Sequence, residues 1–169
     1  MAGTRVSGAR RRLDLADMAA TEALAARFAK GACAGDVLAL SGVLGAGKTA
    51  FARAFIQAAA RDAGLGEQEV PSPTFTLVQG YAVGGLTIHH FDLYRLTAPE
   101  EAWELGIEDA FSGGVSLIEW PDRLGDFLPP ERAEIALFPG RTPESRVAEI
   151  TPFGRWKDRL AALLEDGDG

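Results

Sequence analysis

Apolar positions recur along this chain with two periods, and the alternation between them lays out its elements. Over residues 18–30 the period is helical: Leu24 and Phe28 stand four apart, Asp17 can cap the start, and Gly31 ends the run. Residues 36–41 are a short apolar run led by an acid, suited to a buried parallel strand. A glycine-rich octapeptide follows, and residues 49–60 are then rich in strong helix formers, with no Gly or Pro before Gly64. Pro71-Ser72-Pro73 enforces an extended backbone. Residues 74–83 and 86–91 read as strands around a Gly84-Gly85 turn, an antiparallel hairpin.

The second half continues the mixture. Thr97-Ala98-Pro99-Glu100 offers a capping box and an early proline, opening a helix toward Phe111 that Ser112-Gly113-Gly114 breaks. Residues 115–119 form a buried strand, and 122–127 a short helix. Residues 132–138 and 145–150 alternate as strands joined through Pro139-Gly140, and 156–164 make an amphipathic last helix. Together these predict one α/β domain of three layers over residues 13–164, with a mixed, mostly parallel sheet that includes a hairpin. Arg5, Arg10, Arg11 and Arg12 all precede the first acid, Asp14, so residues 1–12 read as a solvated, disordered basic tail. Residues 165–169 read as a frayed acidic one.

Composition narrows the function classes. The 169 residues suffice for one core, and 47% apolar with 24% charged residues are ordinary soluble values. No apolar run approaches the roughly 20 residues that span a bilayer. A single cysteine, Cys33, excludes an internal disulfide framework and fits a reducing cytoplasm. The net charge of −7 argues against a chain that grips nucleic acid alone, which needs a positive field.

The chemistry starts at Gly42-Val43-Leu44-Gly45-Ala46-Gly47-Lys48-Thr49, which spells G-x-x-x-x-G-K-[ST]. The motif lies between a predicted strand and a predicted helix, where its mechanism requires it. Glycines let the backbone turn its N–H groups onto an anion, and the helix that continues through Ala50 adds its positive end. Lys48 then reaches the outer phosphates, and the Thr49 hydroxyl binds Mg²⁺. The expected fold is therefore a P-loop NTPase-like α/β domain. No N-K-x-D base-reading motif is present, which disfavours GTP.

Hydrolysis needs carboxylates at strand ends, because Mg²⁺ prefers oxygen ligands. Glu119 directly follows the apolar run Val115-Ser116-Leu117-Ile118, the place of a Walker-B acid. Asp92 ends Ile88-His89-His90-Phe91 in the same way. Glu119 either holds the metal through water or orients the attacking water. Ser72-Pro73-Thr74 reads either as a switch that lays Thr74 near the γ-phosphate or as a plain rigid turn. His89 and His90 point to opposite faces of their strand, and a packing role outweighs a catalytic one for either. Trp120 is either a hydrophobic lid or partner contact, or simply core, and Arg95 either neutralises phosphate or pairs with an acid.

Four blocks in order carry a resemblance: the P-loop octapeptide, Ser72-Pro73-Thr74-Phe75-Thr76-Leu77-Val78, His90-Phe91-Asp92-Leu93-Tyr94-Arg95-Leu96, and Leu117-Ile118-Glu119-Trp120-Pro121. Together they resemble the bacterial TsaE (YjeE) family, the ATPase component of tRNA threonylcarbamoyladenosine synthesis. The resemblance implies ATP and Mg²⁺ as cofactors, and TsaD and TsaB as partners in modifying adenosine 37, with tRNA held only through the complex. It carries the family's roles onto Lys48, Thr49, Glu119 and Asp92, and the switch-like threonine onto Thr74. It also places the adenine near the start of the first helix, at Asp17 or Thr21. Two other classes use the same loop: a small-molecule kinase, and a binding module in which nucleotide only sets shape.

Overall fold

The computed structural model describes residues 10–165. Its elements are strand β1 (Arg11–Leu15), helix α1 (Met18–Lys30), β2 (Val37–Ser41), α2 (Lys48–Asp62), β3 (Val78–Val83), β4 (Leu86–Asp92), α3 (Ile107–Gly113), β5 (Val115–Glu119), β6 (Ala133–Pro139), β7 (Arg146–Pro152) and α4 (Trp156–Glu165). Two 3₁₀ helices, Pro99–Leu105 and Pro121–Phe127, flank α3 and β5. The seven strands form one sheet in the order β1-β7-β6-β2-β5-β4-β3. Strands β6, β2, β5 and β4 pair in parallel, while β3, β7 and β1 join antiparallel at the margins. Only β3 and β7 run against the other five, so the sheet is mixed and mostly parallel in direction.

Alternation along the central strands divides the core in two. Leu38, Leu40, Ile88, Val115 and Leu117 face α1, α2 and α4 and pack on Phe28, Phe51 and Phe55. Val37, Phe91 and Ile118 face the other way, onto Ile107, Ala110 and Leu124. Phe28 sits edge-on to Phe51 at 6.1 Å between ring centroids and meets Trp156 at 5.9 Å, which ties the three helices of the first layer together. Its burial contributes about 2–3 kcal/mol, and Phe28→Ala would cost about 3–5 kcal/mol with the cavity included. Helix α1 begins where Asp17 Oδ1 accepts from the Ala20 amide at 2.9 Å, and it buries Thr21, Leu24, Ala25, Phe28 and Ala29 as one stripe.

Five expectations need correction. Arg11 and Arg12, read as part of a tail, form the edge strand β1, in register with Ile150 and Glu149 of β7; the rest of the expected tail, residues 1–9, lies outside the described residues. Glu165 likewise closes α4, and 166–169 lie outside them. The strand expected from residue 74 starts only at Val78, because Leu77 sits at φ 69° and its amide bonds the Pro73 carbonyl as a turn. The helix expected to run to Phe111 is two pieces, since Gly106 adopts φ 77° between them. Its capping box does not form either: Ala98 occupies the cap position without a side-chain bond, while the Thr97 hydroxyl bonds Glu101.

Candidate functional site

The parallel register decides which acids meet. Asp92 pairs with Glu119 across β4 and β5, and Glu119 with Leu40 across β5 and β2, so both acids end their strands beside the loop that leaves β2. Period two puts His90, Asp92 and Glu119 on the face that α2 covers. A cleft of about 320 Å³ opens there, lined by Lys48, Thr49, Thr74, Asp92, Glu119 and Arg146, with Leu44, Tyr94 and Trp120 on its apolar side. The architecture thus brings together Lys48, Thr49, Thr74, Asp92 and Glu119, residues 71 positions apart at the extremes.

The glycine loop is shaped by close approach. Gly42 has φ 143°, and a Cβ there would lie 2.6 Å from the Leu137 carbonyl oxygen of β6. Gly47, at φ 110°, starts α2 in a left-handed conformation closed to most side chains. Ala46 is fully buried and donates its amide to the Val43 carbonyl at 3.0 Å, while Val43 and Leu44 form an exposed tip. Lys48 Nζ donates to the Gly42 and Val43 carbonyls at 2.6 and 2.9 Å and stands 4.3 Å from the Trp120 ring centroid. Burial pushes its ammonium below the ordinary value, an effect Glu119 and Asp92 only partly oppose.

Each acid accepts from a threonine hydroxyl of its own. Thr49 Oγ1 lies 2.9 and 3.0 Å from the two Glu119 oxygens, to which its hydroxyl donates. Glu119 is 2% exposed, Asp92 6%. Asp92 accepts from the Tyr94 amide at 3.1 Å and from the Thr74 hydroxyl at 3.3 Å, and Thr74 is also 2.7 Å from the Ser72 hydroxyl. The turn at Leu77 makes this possible, because it halts β3 and leaves residues 72–76 arched over the end of β4. Trp120, at φ 60°, turns its ring onto Tyr94 at 4.9 Å and closes that wall. Arg95 lies on the exposed Phe75 ring rather than on an acid.

Two expected positions fall elsewhere. Asp17 spends its carboxylate on the α1 cap, and Thr21 is 2% exposed in the buried stripe of that helix. Neither lines the cleft, whereas Met18 between them does. Arg146 was not foreseen. From the first residue of β7, its Nε donates to the Ala46 carbonyl at 2.8 Å and its Nη2 to the Gly45 carbonyl at 3.3 Å, bracing the loop from outside. It also lines a second cavity, of about 660 Å³, with Arg12, Asp14 and Arg141. No local pattern marks it, because the contact joins positions 100 residues apart.

The fold and the cleft define an α/β protein built on a strand–glycine loop–helix unit with paired acids at the neighbouring strand ends. The model of the family described as "Threonylcarbamoyl adenosine biosynthesis protein TsaE" matches residues 15–147, and the chain belongs to that family. It is 41% identical over 117 residues to a tRNA threonylcarbamoyladenosine biosynthesis protein TsaE of Rickettsia felis, covering 69% of this chain and 66% of the relative. It is 42% identical over 119 residues to the protein of that name from Bacillus subtilis, covering 69% and 70%. The crystal structure of Bacillus subtilis YdiB superposes with a TM-score of 0.76 at 31% identity, over 95% of this chain and 97% of that one. The matched stretch thus spans slightly under two thirds of the Rickettsia felis relative's length.

Proposed function

We propose that this chain is a Mg²⁺-dependent ATPase subunit acting in threonylcarbamoyl modification of adenosine 37 in tRNA, with TsaD- and TsaB-type partners. The observation that carries the reading is the Thr49–Glu119 contact, which sets a hydroxyl and a buried carboxylate at the mouth of the glycine loop with Asp92 alongside. These are hard oxygen donors of the kind Mg²⁺ takes, and the acids carry more negative charge than the cleft's own hydrogen bonds offset. Thr49, with Glu119 and Asp92, would hold the ion, whose chemistry there is to neutralise charge on the phosphates.

The protein's own groups do the remaining work. The loop amides and the start of α2 bind the phosphate tail, and Lys48 exchanges the Gly42 and Val43 carbonyls for phosphate oxygens. Glu119 accepts a proton from, or orients, the attacking water; Thr74, tethered to Asp92, reports the state of the outer phosphate to the arched loop at residues 72–76. Trp120 and Tyr94 give that side of the cleft an apolar wall, with the Trp120 ring against Lys48. Lys48 and the two acids meet the needs of phosphoryl transfer, which is mostly positioning and electrostatics. The net charge of −7 fits a subunit that leaves tRNA to its partners.

Reconstitution with TsaD, TsaB, tRNA and substrates tests this. Repeated turnover with ATP and loss of turnover with a non-hydrolysable analogue is the expected result. Equal yields of modified tRNA with both nucleotides would reduce the chain to a nucleotide-gated binding module. Tight, salt-sensitive tRNA binding by the isolated chain would overturn the division of labour.

A further inference from the structure

Among the described residues, one buried polar group at the cleft has no part in the mechanism above. His90 is fully buried, its Nε2 lies 2.7 Å from Glu119 Oε2, and its Nδ1 has no hydrogen-bond partner. We propose that His90 is a positioning residue for Glu119, holding the carboxylate in place while Thr49 changes partner. The proposal rests on the ATPase reading for its consequence in turnover, but its structural half stands alone.

The geometry gives the reason. An ionised carboxylate only accepts, so Nε2 must carry the hydrogen, and the bare Nδ1 lone pair is then the atom left without a donor. The opposite tautomer would bury an unpaired N–H and set two acceptors 2.7 Å apart. Glu119 thus receives two side-chain donors: the Thr49 hydroxyl, shared by both oxygens, and His90 on Oε2 alone. They differ in permanence. Thr49 lies in the first turn of α2 and faces the cleft, and its hydroxyl turns away when its oxygen meets a cation. His90 is locked in the sheet, two residues before Asp92 on the same face, with no other partner to turn to. When Thr49 lets go, His90 becomes the donor that keeps Glu119 from swinging about its last torsion. Buried acids that serve a metal or a water owe 10- to 100-fold in activity or affinity to such outer partners.

Two measurements test it, both on the full chain. Nitrogen-15 spectra of the histidine ring should show the Nε2–H tautomer for His90; an Nδ1–H ring overturns the proposal whatever the enzyme does. In turnover, His90→Leu should lower kcat about 10- to 100-fold with little change in ATP affinity. His90→Gln, whose amide nitrogen reaches nearly as far as Nε2, should recover most of that loss. In a Glu119→Gln background, His90→Leu should add almost nothing. If Leu and Gln at position 90 reduce kcat equally, the side chain serves only packing and the proposal fails. If His90→Leu does not fold, His90→Phe, which keeps a ring and has no donor, takes its place: a 10- to 100-fold loss in kcat that His90→Gln recovers supports the proposal, and equal kcat for Phe and Gln overturns it. Wild-type protein that never hydrolyses ATP, alone or with partners, would instead overturn the ATPase reading, and the tautomer would still be read.

Discussion

Asp36 and Glu119 are both buried acids, at opposite ends of the neighbouring parallel strands β2 and β5, and their surroundings differ in one respect. Asp36, just before β2, is closed by its own protein. Arg159 of α4 forks onto both oxygens at 2.6 and 2.8 Å, and the Cys33 amide adds a third donor at 2.9 Å. Arg159 also lies over the Trp156 ring at 3.9 Å, so the clasp binds the last helix to the first parallel strand. Glu119 and Asp92 have hydroxyls, an amide and a histidine ring, but among the described residues no Lys or Arg is paired with either. The nearest ammonium, on Lys48, is spent on carbonyls. A carboxylate whose charge the chain neutralises is part of the structure; one left with partial donors awaits a cation from outside.

The largest expected effect breaks the open end. Lys48→Ala should lower ATP turnover by about 10²–10³-fold while the folded protein persists, measured by phosphate release and by thermal melting. A variant that kept full turnover would remove the glycine loop from the chemistry. Next in size, at the closed end, Asp36→Asn should cost about 3 kcal/mol of stability, because it strands the Arg159 guanidinium. Nucleotide affinity should stay the same. Denaturant titration beside nucleotide titration separates the two, and a loss of affinity without a loss of stability would show that the two ends are not independent. Smaller again is Glu119→Gln without ligand. It should leave stability within about 1 kcal/mol or raise it, because it removes a buried charge that has no opposite partner. A loss as large as that of Asp36→Asn would erase the distinction between the two acids.

Both ends were legible in the sequence to different depths. The loop, its strand and its helix are signalled by local pattern, as are β5 and the hairpin turn at Gly84-Gly85, because each depends on neighbours within a few residues. Asp92 and Glu119 were also readable, since an acid after an apolar run is a local feature. What escaped is non-local or conditional. The Asp36–Arg159 fork spans 123 residues and the Arg146 brace 100, and nothing at either end announces the other. Strand β1 was hidden because its arginines read as a tail. Only Leu13 and Leu15 carry its apolar face, and edge strands tolerate charge. The turn at Leu77 was hidden because a positive φ on leucine goes against its local preference, and the turn's bond to Pro73 is joined by a non-local one from the Asp92 amide to the Leu77 carbonyl.

The smallest prediction sharpens the contrast through neighbouring histidines. His90 faces the α2 side and has Glu119; His89 faces the opposite layer, its ring stacked on Phe91 at 6.2 Å. It fills space that only a glycine leaves free, since a Cβ on Gly114 would lie 2.8 Å from its Cδ2. Burial without an opposing charge holds the His89 pKa below its ordinary 6.5. The unfolded chain therefore takes up a proton as the pH falls through about 6.5, and the folded one only at lower pH. Stability associated with the neutral ring is complete above 6.5, drains away as the pH falls toward the folded value, and is then constant. His89→Phe keeps an aromatic ring and removes that proton. Melting temperatures of the two proteins should hold a fixed difference from pH 8 down to about 6.5, and below it the wild type should fall faster. Curves that stay parallel throughout would mean that His89 is open to water in solution, and that the layer over Phe91 and Gly114 is looser than the one over Glu119.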